Sequence, residues 1–414
     1  MEMKTASKDE RKAISGEAGE ILDFEEIKVE NYKRFETGIE EFDRVLGGGI
    51  VPGSLILIGG EPGIGKSTLV LQIATSLKLQ KPVLYISGEE SAEQIKMRLD
   101  RLNLKSRDLK YLSETNIENI VATIDKFKPG LAIVDSIQTM YFSSLPSEAG
   151  SVAQVRVCTV KLLEICKKLQ IPIFIIGHVT KEGLVAGPKT MEHLVDTVLY
   201  LEGDQYHAFR ILRASKNRFG STNEVGVFDM HEKGLVEVKN PSEVFLSERQ
   251  KKPGSCVCAV MEGSRAFLVE IQALVNMTYY GLPRRNVSGI DFNRLLMLTA
   301  VLSKRGGLKL GNQDIYVNVV GGVKVSEPAC DLAVCLAIAS AYKNKPIDFS
   351  IVAIGEVGLG GEIRSVGQLE KRLSEAEKMG FKEMVMNDRA VAKKGKLNIF
   401  KVDNIAEAIN EIFG

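Results

Sequence analysis

The chain of 414 residues has no tryptophan, and its 16 Phe and 10 Tyr offer little surface on which single-stranded bases would stack. Net charge is nearly absent too, since 54 Lys and Arg against 53 Asp and Glu leave +1. No global field therefore gathers nucleic acid or an acidic membrane, and any polyanion site must be local. No apolar run approaches the roughly 20 residues that a helical membrane span requires. The opening MEMKTASKDERKAISGEAGE lacks the apolar core of a secretion signal, so a cytoplasmic location is expected. Cysteine is scarce. Six residues, at 158, 166, 256, 258, 330 and 335, contain no Cys-x-x-Cys, which points to buried thiols in a reducing compartment. Cys256 and Cys258 have the spacing of a metal pair, but alternation within one strand is the simpler explanation.

What is present is a repeated strand–loop–helix pattern punctuated by glycine. The segment GGEPGIGKST (59–68) fits the nucleoside-triphosphate loop in every fixed position. Strand-like SLILIGG precedes it and helical KSTLVLQIATSLKL follows, which is the context such a loop needs. Gly60, Glu61, Pro62, Gly63, Ile64, Gly65, Lys66, Ser67 and Thr68 are expected to curl backbone N–H groups around phosphate at a helix N-terminus. Lys66 then reaches the β- and γ-phosphates, and the Ser67 hydroxyl ligates Mg²⁺, making ATP and Mg²⁺ the expected ligands.

Hydrolysis needs further carboxylates at strand ends. LAIVDS places Asp135 after four small or apolar residues, where it holds the Mg²⁺ shell or, more simply, caps the following turn. YISGEES supplies Glu89 and Glu90. Glu89 is the better candidate for orienting the attacking water, and helix capping at the surface accounts for Glu90.

The short runs PVLYISG, GLAIVDS and IPIFIIG, separated by amphipathic segments, predict an α/β fold with a parallel sheet covered on both faces. DTVLYLEG and YHAFRILRASKNRFG predict antiparallel strands at one edge. Three regions follow: a polar arm over 1–35, an ATPase domain over 36–245, and a second α/β domain over 255–414. The polar stretch NPSEVFLSERQKKPGS (240–255) marks the boundary between the last two.

TGIEEFDRVLGGGIVPGS, the phosphate loop, and Lys216-Asn217-Arg218-Phe219-Gly220 together resemble the bacterial RadA/Sms family of RecA-superfamily ATPases over residues 35–414. The opening segment is also similar to KaiC-like proteins. The resemblance implies a RecA-like core and a ring, expected to be hexameric, that acts on single-stranded and branched DNA in recombination and branch migration. It further implies a RecA-type recombinase as partner. In related motors a Lys-x-Arg reaches a neighbour's ATP, so Lys216 and Arg218 are expected to act across a subunit boundary. A solvated basic turn is the plainer reading of those five residues. Loops after Asp135 and after IPIFIIG line the centre of such rings, which makes Arg156, Lys181 and Lys189 candidate DNA contacts. His178 is either a γ-phosphate sensor or a structural histidine. The four-cysteine zinc element that opens the family has no counterpart before Cys158, so no zinc-borne function is expected.

From about 255 the chain resembles the proteolytic domain of Lon, whose chemistry needs a Ser nucleophile and a Lys base. Ala329 stands at the Ser position and Glu370 at the Lys position, with Lys371 adjacent and Ser326 and Ser340 the nearest hydroxyls. An Ala cannot attack a carbonyl, so a catalytically dead scaffold for oligomerisation is expected. The basic runs PRR (283–285) and SKR (303–305) are either DNA contacts or solvated charge.

Overall fold

Alternation along the short apolar runs sorts their side chains onto two faces, and each face recruits its own helices. The computed structural model describes residues 33–178, 188–203, 209–279, 281–387 and 396–414. In chain order the first part comprises α1 (Glu40–Leu46), β1 (Leu55–Gly60), α2 (Lys66–Ser76), β2 (Val83–Ser87), α3 (Ala92–Arg101), β3 (Leu109–Ser113) and α4 (Ile117–Phe127). It continues through β4 (Leu131–Asp135), α5 (Val152–Leu169), β5 (Ile173–His178), β6 (Thr197–Gly203), β7 (Phe209–Asn217), β8 (Val225–His231) and β9 (Gly234–Glu237).

Among the described residues these strands form one sheet in the order β3-β2-β4-β5-β1-β6-β7-β8-β9. From β3 to β6 every neighbouring pair is parallel. β7, β8 and β9 then extend the sheet antiparallel, as the helix-poor stretch predicts. Ile56, Ile58, Tyr85 and Ile133 face one side and pack with Phe42, Leu69, Ile73 and Leu99 of α1, α2 and α3. Leu55, Leu57, Leu84 and Val134 face the other and pack with Ile120, Ile124, Cys158 and Leu162 of α4 and α5.

The second part begins with α6 (Pro241–Leu246), β10 (Ser255–Glu262), β11 (Arg265–Met277), β12 (Arg285–Ser288), α7 (Phe292–Lys304) and β13 (Gln313–Val319). It ends with α8 (Asp331–Lys343), β14 (Ile351–Ala353), β15 (Glu356–Val357), β16 (Ile363–Arg364), α9 (Leu369–Lys378), β17 (Glu383–Met386), β18 (Asn398–Lys401) and α10 (Ile405–Phe413). Its main sheet runs β12-β13-β11-β10-β14-β17-β18. α8 is buried nearly all round, in keeping with its sequence DLAVCLAIASAYK. Cys256 and Cys258 both lie buried on β10, and burial pushes the Cys256 thiol up to about 12.

The stretch 240–255, read from sequence as a boundary, contains a packed helix. The Ser242 hydroxyl of α6 donates to Glu375 Oε1 at 2.6 Å and accepts from the Leu268 N–H at 3.0 Å. Ile211, Val225 and Val227 of the first sheet, and Val238 just after it, belong to the core beneath the second, and residues 34–414 form one compact unit. Polar composition misleads here because the exposed side of the segment is charged while Pro241, Ser242 and Phe245 are buried.

A buried ionic knot fastens the β10–β11 turn to the first sheet. Glu41, 1% exposed, accepts the Val227 N–H at 3.0 Å and pairs with Arg265 at 2.8 Å and Arg44 at 2.9 Å. Gly263, at φ +60, admits the Asn223 carbonyl where a Cβ would collide, and Ser264 N donates to that carbonyl at 2.6 Å. Breaking one side of a buried pair leaves an uncompensated charge. Arg44 and the Val227 N–H still hold Glu41 without Arg265, so Arg265→Ala should lower stability by about 1.5 kcal/mol, read as a fall in the urea midpoint. Adding Glu41→Gln should recover part of that loss; an Arg265→Ala midpoint equal to wild type would contradict the pairing.

Candidate nucleotide site

A parallel sheet delivers all its strand C-termini to one edge, and the expected phosphate chemistry collects there. Gly60 closes β1 beside His178 at the end of β5, and Ser87 closes β2 beside Asp135 at the end of β4. Between β1 and α2 the loop turns through Gly63 at φ +77 and Gly65 at φ +113, conformations that disfavour a side chain. Gly65 caps α2 without a side-chain acceptor, so the first-turn N–H groups face the loop interior without a cap of their own. This arrangement fits a polyphosphate.

Lys66 is 3% exposed, and its ammonium donates to the carbonyls of Gly60 and Glu61, both at 2.9 Å. Burial lowers its pKa to about 8, against the opposing pull of Asp135 and then Glu89. Asp135 is 5% exposed and accepts the Tyr85 hydroxyl. Burial of Tyr85 itself, and then the Asp135 carboxylate beside it, push the Tyr85 phenol well above its ordinary pKa. Ser67 and Thr68 are half-buried in the first turn of α2. Ser67 and Asp135 are the groups that would hold Mg²⁺, which when bound neutralises charge on the phosphate oxygens.

Glu89 and Glu90 go separate ways. Glu89 accepts the Ser136 hydroxyl, and His178 Nε2 lies 3.7 Å from its other oxygen. His178 foremost, against partial desolvation, with Ser136 and Lys66 adding, holds the Glu89 carboxyl below the usual range. Glu90 pairs with Arg98 of α3, and the N-cap that it was expected to provide belongs to Ser91. His178 Nδ1 is buried without a hydrogen-bond partner among the described residues.

The other sequence candidates lie elsewhere. Lys216 Nζ donates to the Glu192 carbonyl at 2.8 Å, and Arg218 Nη1 sits 3.4 Å from Asp196 Oδ1. Arg218 N is bonded to the Asp196 carbonyl and Asp196 N to that of Leu55, so Arg218 stands level with the start of β1. Gly60 is five residues further along that strand, about 16 Å at 3.3 Å per residue. Arg218 thus occupies the opposite end of the sheet from its own phosphate loop. Arg156 is exposed on α5, Lys189 is exposed in the 3₁₀ turn Pro188–Thr190, and Lys181 lies outside the described residues.

Sequence reasoning missed Tyr85 and Arg210. Tyr85 reads as one more apolar strand residue, and only the β2–β4 register reveals its partner. Arg210, 6% exposed on β7, donates from Nε to the Ile64 carbonyl at 3.2 Å and so steadies the phosphate loop from a distant part of the chain.

In the second part, Ala329 is buried, Glu370 and Lys371 are exposed, and Lys371 Nζ donates to the Ser264 carbonyl at 2.8 Å. The buried cation is Arg372, which grips Glu327 through both nitrogens at 2.8 and 2.6 Å. A guanidinium held this way cannot serve as a base. Ser326 is exposed, while Ser340 is buried and bonded to Gly254 N and the Lys345 carbonyl. Of the basic runs, Arg285 is committed to carbonyls of Arg284, Leu310 and Gln313, whereas Lys304 and Arg305 are exposed.

A KaiC ATPase family model matches residues 35–116, and a model for subunit ChlI of magnesium chelatase matches 270–389. The DNA repair protein RadA of Listeria monocytogenes is 52% identical over 98% of this chain and 90% of its own length. RadA of Bacillus subtilis is 53% identical over 94% and 86%, and RadA of Streptococcus pneumoniae 49% identical over 98% of both. The chain belongs to the RadA family of DNA repair proteins. The solved RadB recombinase aligns at 23% identity and a TM-score of 0.40, covering 50% of this chain and 100% of RadB. This RadA family member carries a P-loop ATPase core, and among its described residues no helix is long and apolar enough to cross a membrane.

The depressed Lys66 pKa has a measurable consequence. With a pKa of about 8 the free side chain is mostly neutral at pH 9, and a polyphosphate beside it restores the proton. Binding of an ATP analogue at pH 9 should take up close to one proton, falling towards none at pH 7. Calorimetry in buffers of different ionisation enthalpy measures this, and Lys66→Ala should abolish it. Equal uptake at both pH values would contradict the assignment.

Proposed function

We propose that the chain is a ring-forming, DNA-stimulated ATPase of recombinational repair that binds single-stranded and branched DNA and drives branch migration of recombination intermediates. The observation that carries this reading is the separation of Lys216 and Arg218 from their own phosphate loop. That these cations stand away from their own loop supports a role at the loop of the next subunit in a ring, here taken as hexameric. In that arrangement Lys66 holds the β- and γ-phosphates and Glu89 takes the proton of the attacking water. His178 and Ser136 keep Glu89 ionised for that role, and Tyr85 fixes the orientation of Asp135. Arg218 from the neighbour stabilises charge on the transferring phosphoryl group, an effect worth roughly 10³–10⁵ in rate in other trans-arginine systems.

Arg156, Lys181 and Lys189 are assigned to DNA phosphates in the ring's centre, with a RecA-type recombinase as a partner by family. The second sheet serves as an assembly platform with a Lon-like fold. Support for its lack of proteolysis comes from Ala329 and from the locked Arg372–Glu327 pair.

Lys66→Ala should abolish hydrolysis with the fold retained, and Arg218→Ala should lower it at least 10³-fold. Mixing the two variants should recover activity, because some interfaces then combine an intact loop with an intact arginine. Strictly zero activity in verified mixed assemblies would place Arg218 within its own site or on DNA. Single-stranded DNA should stimulate the wild type, and absence of stimulation would favour a signalling ATPase of the KaiC kind.

Ala329→Ser should create no peptidase activity, since neither Glu370 nor Arg372 supplies a base. Peptide cleavage by that variant, measured on casein, would overturn the scaffold assignment.

A further inference from the structure

Of the five residues Lys216-Asn217-Arg218-Phe219-Gly220, three serve the packing of their own subunit. The Asn217 side chain donates from Nδ2 to the Leu46 carbonyl at 3.2 Å and accepts the Phe219 N–H at 3.0 Å, which folds the run into a turn. Gly220 lies against Gly47, just after α1, where a Cβ would stand 3.5 Å from the Gly47 Cα and 3.1 Å from Asn217 Nδ2. The Phe219 ring packs against the Lys167 ammonium of α5, 5.9 Å from the ring centre. The run thus carries part of its own scaffold, and two groups outside it complete the grip.

Asp196, 1% exposed immediately ahead of β6, is the first. Its Oδ2 accepts the Leu55 N–H at 3.0 Å and the Lys167 ammonium at 2.6 Å, and its Oδ1 faces Arg218 Nη1 at 3.4 Å. Its carbonyl accepts the Arg218 N–H at 3.1 Å. One buried residue therefore holds both the backbone and the guanidinium of Arg218. Its carboxylate cannot rotate without giving up charge-assisted hydrogen bonds. Arg34 is the second group. It donates from Nη1 to the Leu46 carbonyl at 2.9 Å and from Nη2 to the Phe219 carbonyl at 2.6 Å, which fixes the turn to the end of α1. Arg218 itself stays exposed.

We propose that Asp196 and Arg34 are positioning residues that hold this turn so that Arg218 is presented to a neighbouring subunit, an inference that rests on the proposed action of Arg218 across the ring. A guanidinium fixed at its backbone and at one carboxylate has little freedom left to lose when it meets developing charge on a phosphoryl group. Substitution by Asn isolates the contribution of Asp196. The single amide oxygen of Asn can still accept from Leu55 and Lys167, but its NH₂ group then turns donors towards Arg218 and repels it. Arg34 acts on the same turn from its other side, through the Phe219 carbonyl.

The test is steady-state ATP hydrolysis by the full chain and by verified mixed assemblies. Asp196→Asn should lower kcat by roughly 10²-fold, the scale on which a small misplacement is felt, with KM for ATP within about twofold. Arg34→Ala should lower kcat by roughly tenfold, again with little change in KM. Each variant should regain activity when mixed with Lys66→Ala and gain nothing when mixed with Arg218→Ala, since both partners then lack the same contribution. In a chain that already carries Arg218→Ala, adding Asp196→Asn should lower activity by less than about twofold. A general loss of structure would not sort the variants by partner in this way. Unchanged kcat in both variants, a rise in KM in its place, or rescue of either variant by Arg218→Ala would overturn the assignment. If Arg218→Ala and Lys66→Ala fail to complement each other, the reading of Arg218 falls first and this inference falls with it. Arg34 is half-buried, so its variant keeps the fold and decides the matter if a thermal melt shows Asp196→Asn to be unfolded.

Discussion

Six neighbouring strands point the same way, and that polarity decides which side chains can meet. Gly60, Ser87, Asp135 and His178 share an edge because each ends a parallel strand. Lys216 and Arg218 are excluded from that edge because β7 runs antiparallel and delivers its C-terminus to the other side. No rotamer change in a single subunit spans a gap of about 16 Å. The direction of one strand thus decides which of these residues lie beside the subunit's own phosphate loop and which lie at the far end of the sheet.

At the populated edge, burial sets the electrostatics. One ammonium, Lys66, stands near Asp135 and Glu89, and all three lose hydration on folding. Hydrogen bonds divide the labour between the carboxylates. Tyr85 donates to Asp135 and Ser136 donates to Glu89, while His178 stands 3.7 Å from the second Glu89 oxygen. Glu90 leaves the cluster because Arg98, two turns along α3, is within reach and ties it to the helix surface.

Local patterns were legible in the sequence where the chemistry depends on spacing along the chain. The phosphate loop, Asp135 at its strand end, the parallel sheet and its antiparallel edge all follow from short motifs and apolar period. Register and long-range packing were not legible. Tyr85 and Arg210 reach their partners across 50 and 146 residues of sequence, and neither sits in a recognisable motif. The shared core was hidden for a related reason. Ile211 and Leu212 alternate as any strand pair does, yet Ile211 faces the second core and Leu212 the first. Nothing in local alternation says what will cover each face.

That shared strand bears on how the two sheets cooperate. β7 contributes Ile211 and the partly buried Phe209 to the core under the second sheet, and at its far end it presents Lys216 and leads into Arg218. The ion pairs of Glu41 with Arg265 and of Arg213 with Glu262 brace the same region from the β10–β11 turn. A packed interior transmits displacement because it has no slack to absorb it. If copies of the chain assemble through the second sheet, the position of each second sheet fixes β7, and β7 fixes the two cations offered to a neighbour. A flexible linker would decouple assembly from the placement of Arg218, whereas the packed α6 segment keeps the two in register.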